Sequence, residues 1–203
     1  MIEVLPAGER GLLVEVGAAA VLDFASAARE RWQGSLAEVV PGDRTVLLVW
    51  TEDPPDAAEV AAVAADSEAR PTPERARSIT IEVRYDGPDL HEAAALARLS
   101  VEELVARHQA CEYTAAFSGF APGFAYLRGD DPKLELPRRA GPRTEVPAGA
   151  VALGGGYCAV YPRASPGGWL LIGNTEAPMF DSARPRPALV SPGDAVRFEE
   201  VGG

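Results

Sequence analysis

Two histidines, two cysteines and a set of aromatic-flanked turns carry whatever chemistry this sequence has. His108 falls at the i+7 position of a run in which Val101, Leu104 and Val105 share a helical face. An imidazole there is either a general base or hydrogen-bond donor aimed into a cleft, or a buried ring satisfied by its surroundings. His91 sits in the first turn of a helix beside acidic neighbours and reads as structural or solvated. The segment Phe117-Ser118-Gly119-Phe120-Ala121-Pro122-Gly123-Phe124-Ala125-Tyr126 reads as strand, tight turn and strand, with two Gly-Phe pairs that set rings beside bare backbone. It is either a flat apolar pocket wall or a hairpin packed on its own phenylalanines. Ser118 lacks the G-x-S-x-G context of a nucleophile elbow.

Arg143 lies between Pro142 and Pro147, in a stretch that proline holds extended. A rigid mount lowers the entropic cost of presenting a guanidinium to a carboxylate or phosphate, so Arg143 is a candidate ligand contact. Arg138 and Arg139, just upstream, read as solvated. Gly154-Gly155-Gly156 is followed by neither G-K-[ST] nor a helix, which removes a nucleotide loop and leaves a bulge or a close backbone approach. Tyr161-Pro162 and Ser165-Pro166-Gly167-Gly168-Trp169 add two further aromatic turns. Cys111 and Cys158 form neither a disulfide framework nor a metal spacing, and no bound transition metal is expected.

These residues need elements to hold them. Leu12–Val16 reads as a strand, Val21–Trp32 as a helix, and Leu36–Val40 and Thr45–Trp50 as strands joined by the hairpin residues Pro41-Gly42-Asp43-Arg44. Pro54–Ala65 reads as a second helix with prolines at its start. The order β-α-β-β-α, with one more strand to complete it, suggests a ferredoxin-like unit. The polar stretch Asp66–Arg77 reads as a connection between domains. Ser78–Tyr85 alternates as a strand that either finishes the first sheet or opens a second domain. Asp89 is positioned to cap a helix over Leu90–Arg98, and Ser100 with Glu103 forms a capping box for the next, from Val101. From Glu112 onward the chain reads as short strands and turns ending in Ala195–Val201, a small β-barrel whose loops converge on one face.

A chain of 203 residues with 47% hydrophobic content can bury one large core or two small ones. A net charge of −11 argues against nucleic acid as the main partner. Eighteen arginines against the single Lys133, with abundant alanine, read first as codon bias and second as anion recognition. The N-terminus lacks the pattern of a signal peptide and no window reaches the roughly 18 apolar residues of a membrane span, so a cytoplasmic protein with reduced thiols is expected.

Gly119–Leu127, Pro142–Val151 and Tyr161–Gly173 match, in order and spacing, the patterns G-F-x-P-G-F-x-Y-L, P-R-T-x-V-P-A-G-x-V and Y-P-x-x-S-P-G-G-W-x-x-I-G. By these three motifs the chain resembles the allophanate hydrolase subunit 1 family, which includes the B component of 5-oxoprolinase and the bacillar sporulation-kinase inhibitor. The resemblance implies an α+β chain: a ferredoxin-like domain over residues 1–77, then a cyclophilin-like β-barrel over 78–203. It implies half of an active site completed by a homologous second subunit (allophanate hydrolase subunit 2, or the C component of 5-oxoprolinase). The substrate would be a small cyclic amide or urea-like compound, with ATP used at the level of the complex. It places His108 and Arg143 as catalytic candidates. Gly119, Phe120, Pro122, Gly123, Phe124, Tyr126, Tyr161, Trp169 and Asn174 become candidate substrate contacts. The family usually carries glutamine and threonine where this chain has Tyr157 and Cys158, and often arginine where it has Asn174. Substrate choice would change at any of these that touch the ligand. A regulatory module that inhibits a sensor kinase is the rival reading, and a prolyl isomerase rests on fold analogy alone.

Overall fold

The computed structural model describes residues 2–68 and 77–201, which form two compact units on either side of residues 69–76. Most of the connection read from Asp66 to Arg77 lies outside the described residues. Its first residues, Asp66–Glu68, belong to a helix. Arg77 is fixed by an ion pair to the fully buried Asp194, 2.5 Å away.

The first unit contains β1 (Glu3–Pro6), β2 (Gly11–Glu15), α1 (Val21–Arg31), β3 (Leu36–Pro41), β4 (Thr45–Trp50) and α2 (Ala57–Glu68). Its sheet runs β1-β2-β4-β3 and is antiparallel throughout. Alternation along β4 sends Val46, Leu48 and Trp50 to the buried side, where Phe24, Ala25 and Ala28 of α1 and Val60 and Ala64 of α2 cover them. The strand expected after the second helix is supplied instead by β1, which pairs with β2 from Glu3↔Glu15 to Pro6↔Leu12. The helix α2 begins after Asp56, whose carboxylate accepts from the Ala58 N–H at 2.9 Å, so Pro54 and Pro55 precede it rather than start it.

The second unit opens with β5 (Ser78–Val83), followed by α3 (Leu90–Ala97), α4 (Val101–Ala110), β6 (Tyr113–Ser118) and β7 (Ala125–Arg128). A 3-10 turn at Pro132–Leu134 leads to β8 (Arg143–Val146), β9 (Ala150–Gly154), β10 (Tyr157–Val160), β11 (Ser165–Gly167), β12 (Leu170–Asn174) and β13 (Ala195–Glu200). Seven strands form one sheet, in the order β12-β9-β10-β7-β6-β13-β5. Its edges are brought together at Arg84 and Asn174, which exchange backbone hydrogen bonds of 2.9 Å in both directions, so the sheet nearly closes into a barrel. β5 thus belongs to the second unit, in parallel pairing with β13. β8 and β11 form a separate two-stranded ribbon.

The central strands are buried on both faces, and the two faces differ in side-chain size. Val151, Leu153, Cys158, Val160, Leu170 and Ile172 face the main core, with Tyr113, Leu127 and Phe198. Ala150, Ala152 and Ala159 face the other way, under Phe124, Tyr161 and Trp169. Alanine removes bulk on that side and leaves room for large rings to pack over the sheet. The capping box of α4 forms as its sequence predicts: the Glu103 N–H donates to Ser100 Oγ at 3.1 Å, and the Ser100 N–H donates to the Glu103 carboxylate at 2.8 Å. Asp89 does not cap α3 with its side chain, because that carboxylate is engaged elsewhere. Among the described residues no helix is long and apolar enough to cross a membrane.

Candidate functional site

The rings above the alanine face enclose a cavity of about 320 Å³ in the second unit. Phe124 is its centre, with ring centroids 5.0 Å from Tyr126, 5.3 Å from Tyr161 and 5.8 Å from Trp169, all met edge to face. Such contacts contribute about 0.5–1.5 kcal/mol each beyond simple burial, so the floor is a rigid surface. Phe120 stands at the mouth, 58% exposed, with its ring 5.2 Å from Phe124. Arg138, Arg139 and Pro142 line one side, directly beside Pro166, Gly167 and Gly168.

Local sequence sets this shape. The chain between β6 and β7 turns through Gly119–Phe124, held by the Ala121 N–H to Gly119 carbonyl bond at 2.7 Å and the Phe124 N–H to Ala121 carbonyl bond at 2.9 Å. Gly123 has φ +83°, and a Cβ there would lie 2.7 Å from the Phe180 Cβ and 2.9 Å from the Met179 carbonyl. Phe120 also has positive φ, +66°, an uncommon state for a bulky residue. Gly167 passes so close to Tyr161 that a Cβ would come within 2.3 Å of its hydroxyl.

Of the residues predicted from sequence, Phe120, Phe124, Tyr126, Tyr161 and Trp169 converge on the cavity, and Gly119, Pro122 and Gly123 belong to the turn that carries two of those rings. The glycine triplet serves a different purpose from ligand approach. Gly155 and Gly156, with φ +63° and +82°, make the tight turn between β9 and β10, and Gly154 leaves room for the Trp169 ring.

The two catalytic candidates stand apart from the lining. Arg143 is held by Asp89 through paired hydrogen bonds: Nη2 donates to Oδ1 at 2.6 Å and Nη1 donates to Oδ2 at 2.8 Å. Asp89 also accepts from the Leu171 N–H at 2.8 Å. Burial pushes the Asp89 carboxyl up, but the hydrogen bonds from Arg143 and Leu171 and the charges of Arg143 and Arg139 outweigh it and hold it below the usual carboxylate range.

His108 is wholly buried. Its Nδ1 lies 2.8 Å from the Tyr85 hydroxyl and its Nε2 3.3 Å from Cys158 Sγ, and its ring centroid is 4.5 Å from that of Phe198. Burial lowers its pKa to about 3, so the ring is neutral at ordinary pH. Asn174 sits at the barrel closure, donating to Asp86 and lying 3.4 Å from Arg84 Nη2. Tyr157 and Cys158 also lie off the cavity: the Arg128 guanidinium donates to the Tyr157 hydroxyl at 3.0 Å, and Cys158 is in the core. Arg138 and Arg139, read as solvated, both line the cavity, with Arg138 exposed and Arg139 half-buried. A pair of arginines just upstream of the Gly141-Pro142 that precedes β8 was the available signal. Among the described residues no cluster of three or more His, Cys, Asp or Glu side chains could hold a metal ion.

Comparison with known proteins gives three kinds of match. The family described as carboxyltransferase domain, subdomain C and D, matches residues 2–190. Among characterised sequences, the B component of 5-oxoprolinase from Escherichia coli O157:H7 is 50% identical over 125 residues, 60% of this chain and 57% of that protein. Its Bacillus subtilis (strain 168) namesake is 41% identical over 128 residues, 62% and 53% of the two chains. The matched segment therefore spans little more than half of these relatives. Among solved structures, TTHA0988 superposes with a TM-score of 0.78 at 36% identity, covering 96% of this chain and 40% of that one. The urea amidolyase of K. lactis shares the fold, with a TM-score of 0.72 at 16% identity over 98% of this chain and 15% of that one.

Proposed function

This chain belongs to the carboxyltransferase-domain family, subdomains C and D, and from that premise we propose that it is a subunit of an ATP-dependent 5-oxoprolinase-type hydrolase. In this reading the first unit is a ferredoxin-like fold whose last strand is replaced by β1, and the second is a cyclophilin-like barrel. The cavity above the alanine face is its half of an active site completed by a homologous second subunit. The substrate is a small cyclic amide such as 5-oxoproline, with urea or allophanate as the competing choices. The ATP site is assigned to the assembled complex, because this sequence carries no nucleotide-binding motif.

The observation that carries the reading is the cavity itself: rings of Phe124, Tyr126, Tyr161 and Trp169 for a flat ring to lie against, with guanidinium groups on one wall. A volume of about 320 Å³ suits a small metabolite. Within this scheme Phe120, Phe124, Tyr126, Tyr161 and Trp169 contact substrate, and the Gly119–Gly123 turn presents them. Arg143 and His108 act as positioning residues, Arg143 through Asp89 and His108 through the core beneath the sheet. Asn174 holds the barrel closed.

The exposed ring of Phe120 favours a second reading, in which the cavity mouth captures a protein loop and the chain regulates a kinase. ADP release separates the two. The chain is purified with and without its co-expressed second subunit and assayed with 5-oxoproline, urea and allophanate. Partner-dependent release with one of these is the expected result. Silence from a stable complex overturns the enzyme reading in favour of the regulator.

A further inference from the structure

The walls of the cavity include two arginines and no carboxylate, in a chain whose net charge is −11. Asp89, the acidic group in ion-pair range of Arg139, is already hydrogen-bonded elsewhere. Both of its oxygens accept from Arg143, and Oδ2 accepts from the Leu171 N–H as well. Arg139 stands 3.8 Å from Oδ1, within ion-pair range but beyond a hydrogen bond. Its Nε is buried, and among the described residues it has no hydrogen-bond partner. Backbone placement fixes this arginine beside the cavity, since the Arg139 N–H donates to the Gly168 carbonyl at 2.8 Å. Arg138 makes no hydrogen bond or ion pair among the described residues, and its charge is felt by the Tyr161 phenol. The Arg139 side chain is 28% exposed, so only its Nε is withdrawn from solvent; a donor buried without an acceptor is costly, and an anionic ligand in the cavity would supply one.

We infer that this wall is an anion subsite. Arg139 reads a carboxylate attached to the small flat ring that rests on Phe124 and Trp169, and Arg138 closes over the same carboxylate from the solvent side. Asp89 and Arg143 are the prop. By taking up the hydrogen bonds of Asp89, Arg143 leaves the Arg139 donors free for ligand. Specificity follows from the same geometry. A neutral amide of equal size fills the aromatic floor but leaves the Arg139 donors unpaired, whereas a ring carboxylate satisfies them. This inference rests on the proposed function for the identity of the ring and goes beyond it in naming the carboxylate as the discriminating group and Arg139 as its reader.

Isothermal titration of the chain assembled with its co-expressed second subunit, with 5-oxoproline and with 2-pyrrolidone, the same ring without the carboxylate, tests it. Binding of 5-oxoproline at least tenfold tighter than 2-pyrrolidone is expected, with the advantage shrinking as salt is raised. Arg139→Gln should weaken 5-oxoproline at least tenfold while leaving 2-pyrrolidone within twofold, which also shows that the aromatic floor is intact. Arg139→Lys should recover only part of the loss, because a point charge cannot reproduce the fork. Arg138→Gln should have a smaller, more salt-sensitive effect. Equal affinity for the two rings, no detectable binding of 5-oxoproline, or an unchanged 5-oxoproline affinity in Arg139→Gln overturns the inference. Its failure is separable from failure of the enzyme reading. Carboxylate-selective binding without ADP release sinks only the latter, and turnover of 5-oxoproline with an unchanged KM in Arg139→Gln sinks only the former.

Discussion

Asp89 and Arg143 meet through two hydrogen bonds of 2.6 and 2.8 Å although 54 residues separate them. The contact joins the residue before α3 to the first residue of β8, and the Leu171 N–H adds β12 to the same carboxylate. One acidic side chain, 4% exposed, therefore ties a helix start, the two-stranded ribbon and the barrel sheet together beside the cavity.

Removing that carboxylate should cost stability. Asp89→Ala leaves a guanidinium and a backbone N–H without their acceptor, a loss of about 3 kcal/mol, at the low end for a broken buried pair because Arg143 is 23% exposed. Asp89→Asn keeps a carbonyl oxygen for the Leu171 N–H and should lose less. The folded-state pKa of Asp89 is depressed, so its contribution is present above the ordinary carboxylate range and is lost as pH falls through the folded value. Urea unfolding from pH 7 down to pH 3 measures both effects. Wild-type stability should fall more steeply with acid than that of Asp89→Asn, and parallel curves would remove the argument.

His108 gives a second acid dependence with a different window. Its folded pKa of about 3 lies below the value of about 6.5 for a free imidazole, so the unfolded chain binds the extra proton between those limits. The neutral ring contributes full stability above about pH 6.5, and that contribution drains away as pH drops towards 3. Thermal midpoints of wild type and His108→Gln across this range should converge at low pH. A rate profile for the assembled complex should carry no inflection removed by His108→Gln. An inflection that disappears with the substitution would restore His108 as a base.

The contrast between these two residues shows what was legible in the sequence. Local patterns were readable: the Ser100–Glu103 box, the β3–β4 hairpin, the 78–83 strand and the aromatic turns all depend on neighbours within a few positions. Asp89 looked like a helix cap because spacing reports only nearby donors, and its real partners are 54 and 82 residues away. Arg139 looked solvated for the same reason, since it is the Gly168 carbonyl that fixes it at the cavity, whereas Arg138 is exposed as read. β1 was missed because four residues ending in proline give too short an alternation, and only its pairing with β2 makes it a strand.

Gly123 should tolerate no side chain. Gly123→Ala forces a left-handed backbone on an L-residue and drives a methyl to 2.7 Å from the Phe180 Cβ and 2.9 Å from the Met179 carbonyl. The backbone term alone is about 1–2 kcal/mol, and the overlap adds to it. A thermal midpoint within a degree of wild type would show that the turn is softer than these contacts imply.

Phe120 should behave in the opposite sense, because its backbone and its side chain pull apart. At φ +66° the residue holds a conformation that costs of order 1–3 kcal/mol when enforced on a bulky side chain, yet its ring is 58% exposed and gives little burial in return. Its contacts are with the edge of Phe124 at 5.2 Å and of Tyr161 at 6.3 Å, at the cavity mouth. Phe120→Gly relieves the backbone and should leave stability unchanged or raise it by up to about 1 kcal/mol. The same change removes a wall of the cavity and should weaken 5-oxoproline binding severalfold, with 2-pyrrolidone affected to the same extent because the ring rather than the carboxylate is what Phe120 covers. Parallel calorimetry and thermal unfolding separate the two effects. A variant that loses stability and keeps its affinity would mean that Phe120 is held in this conformation by the fold and has no part in covering a ligand.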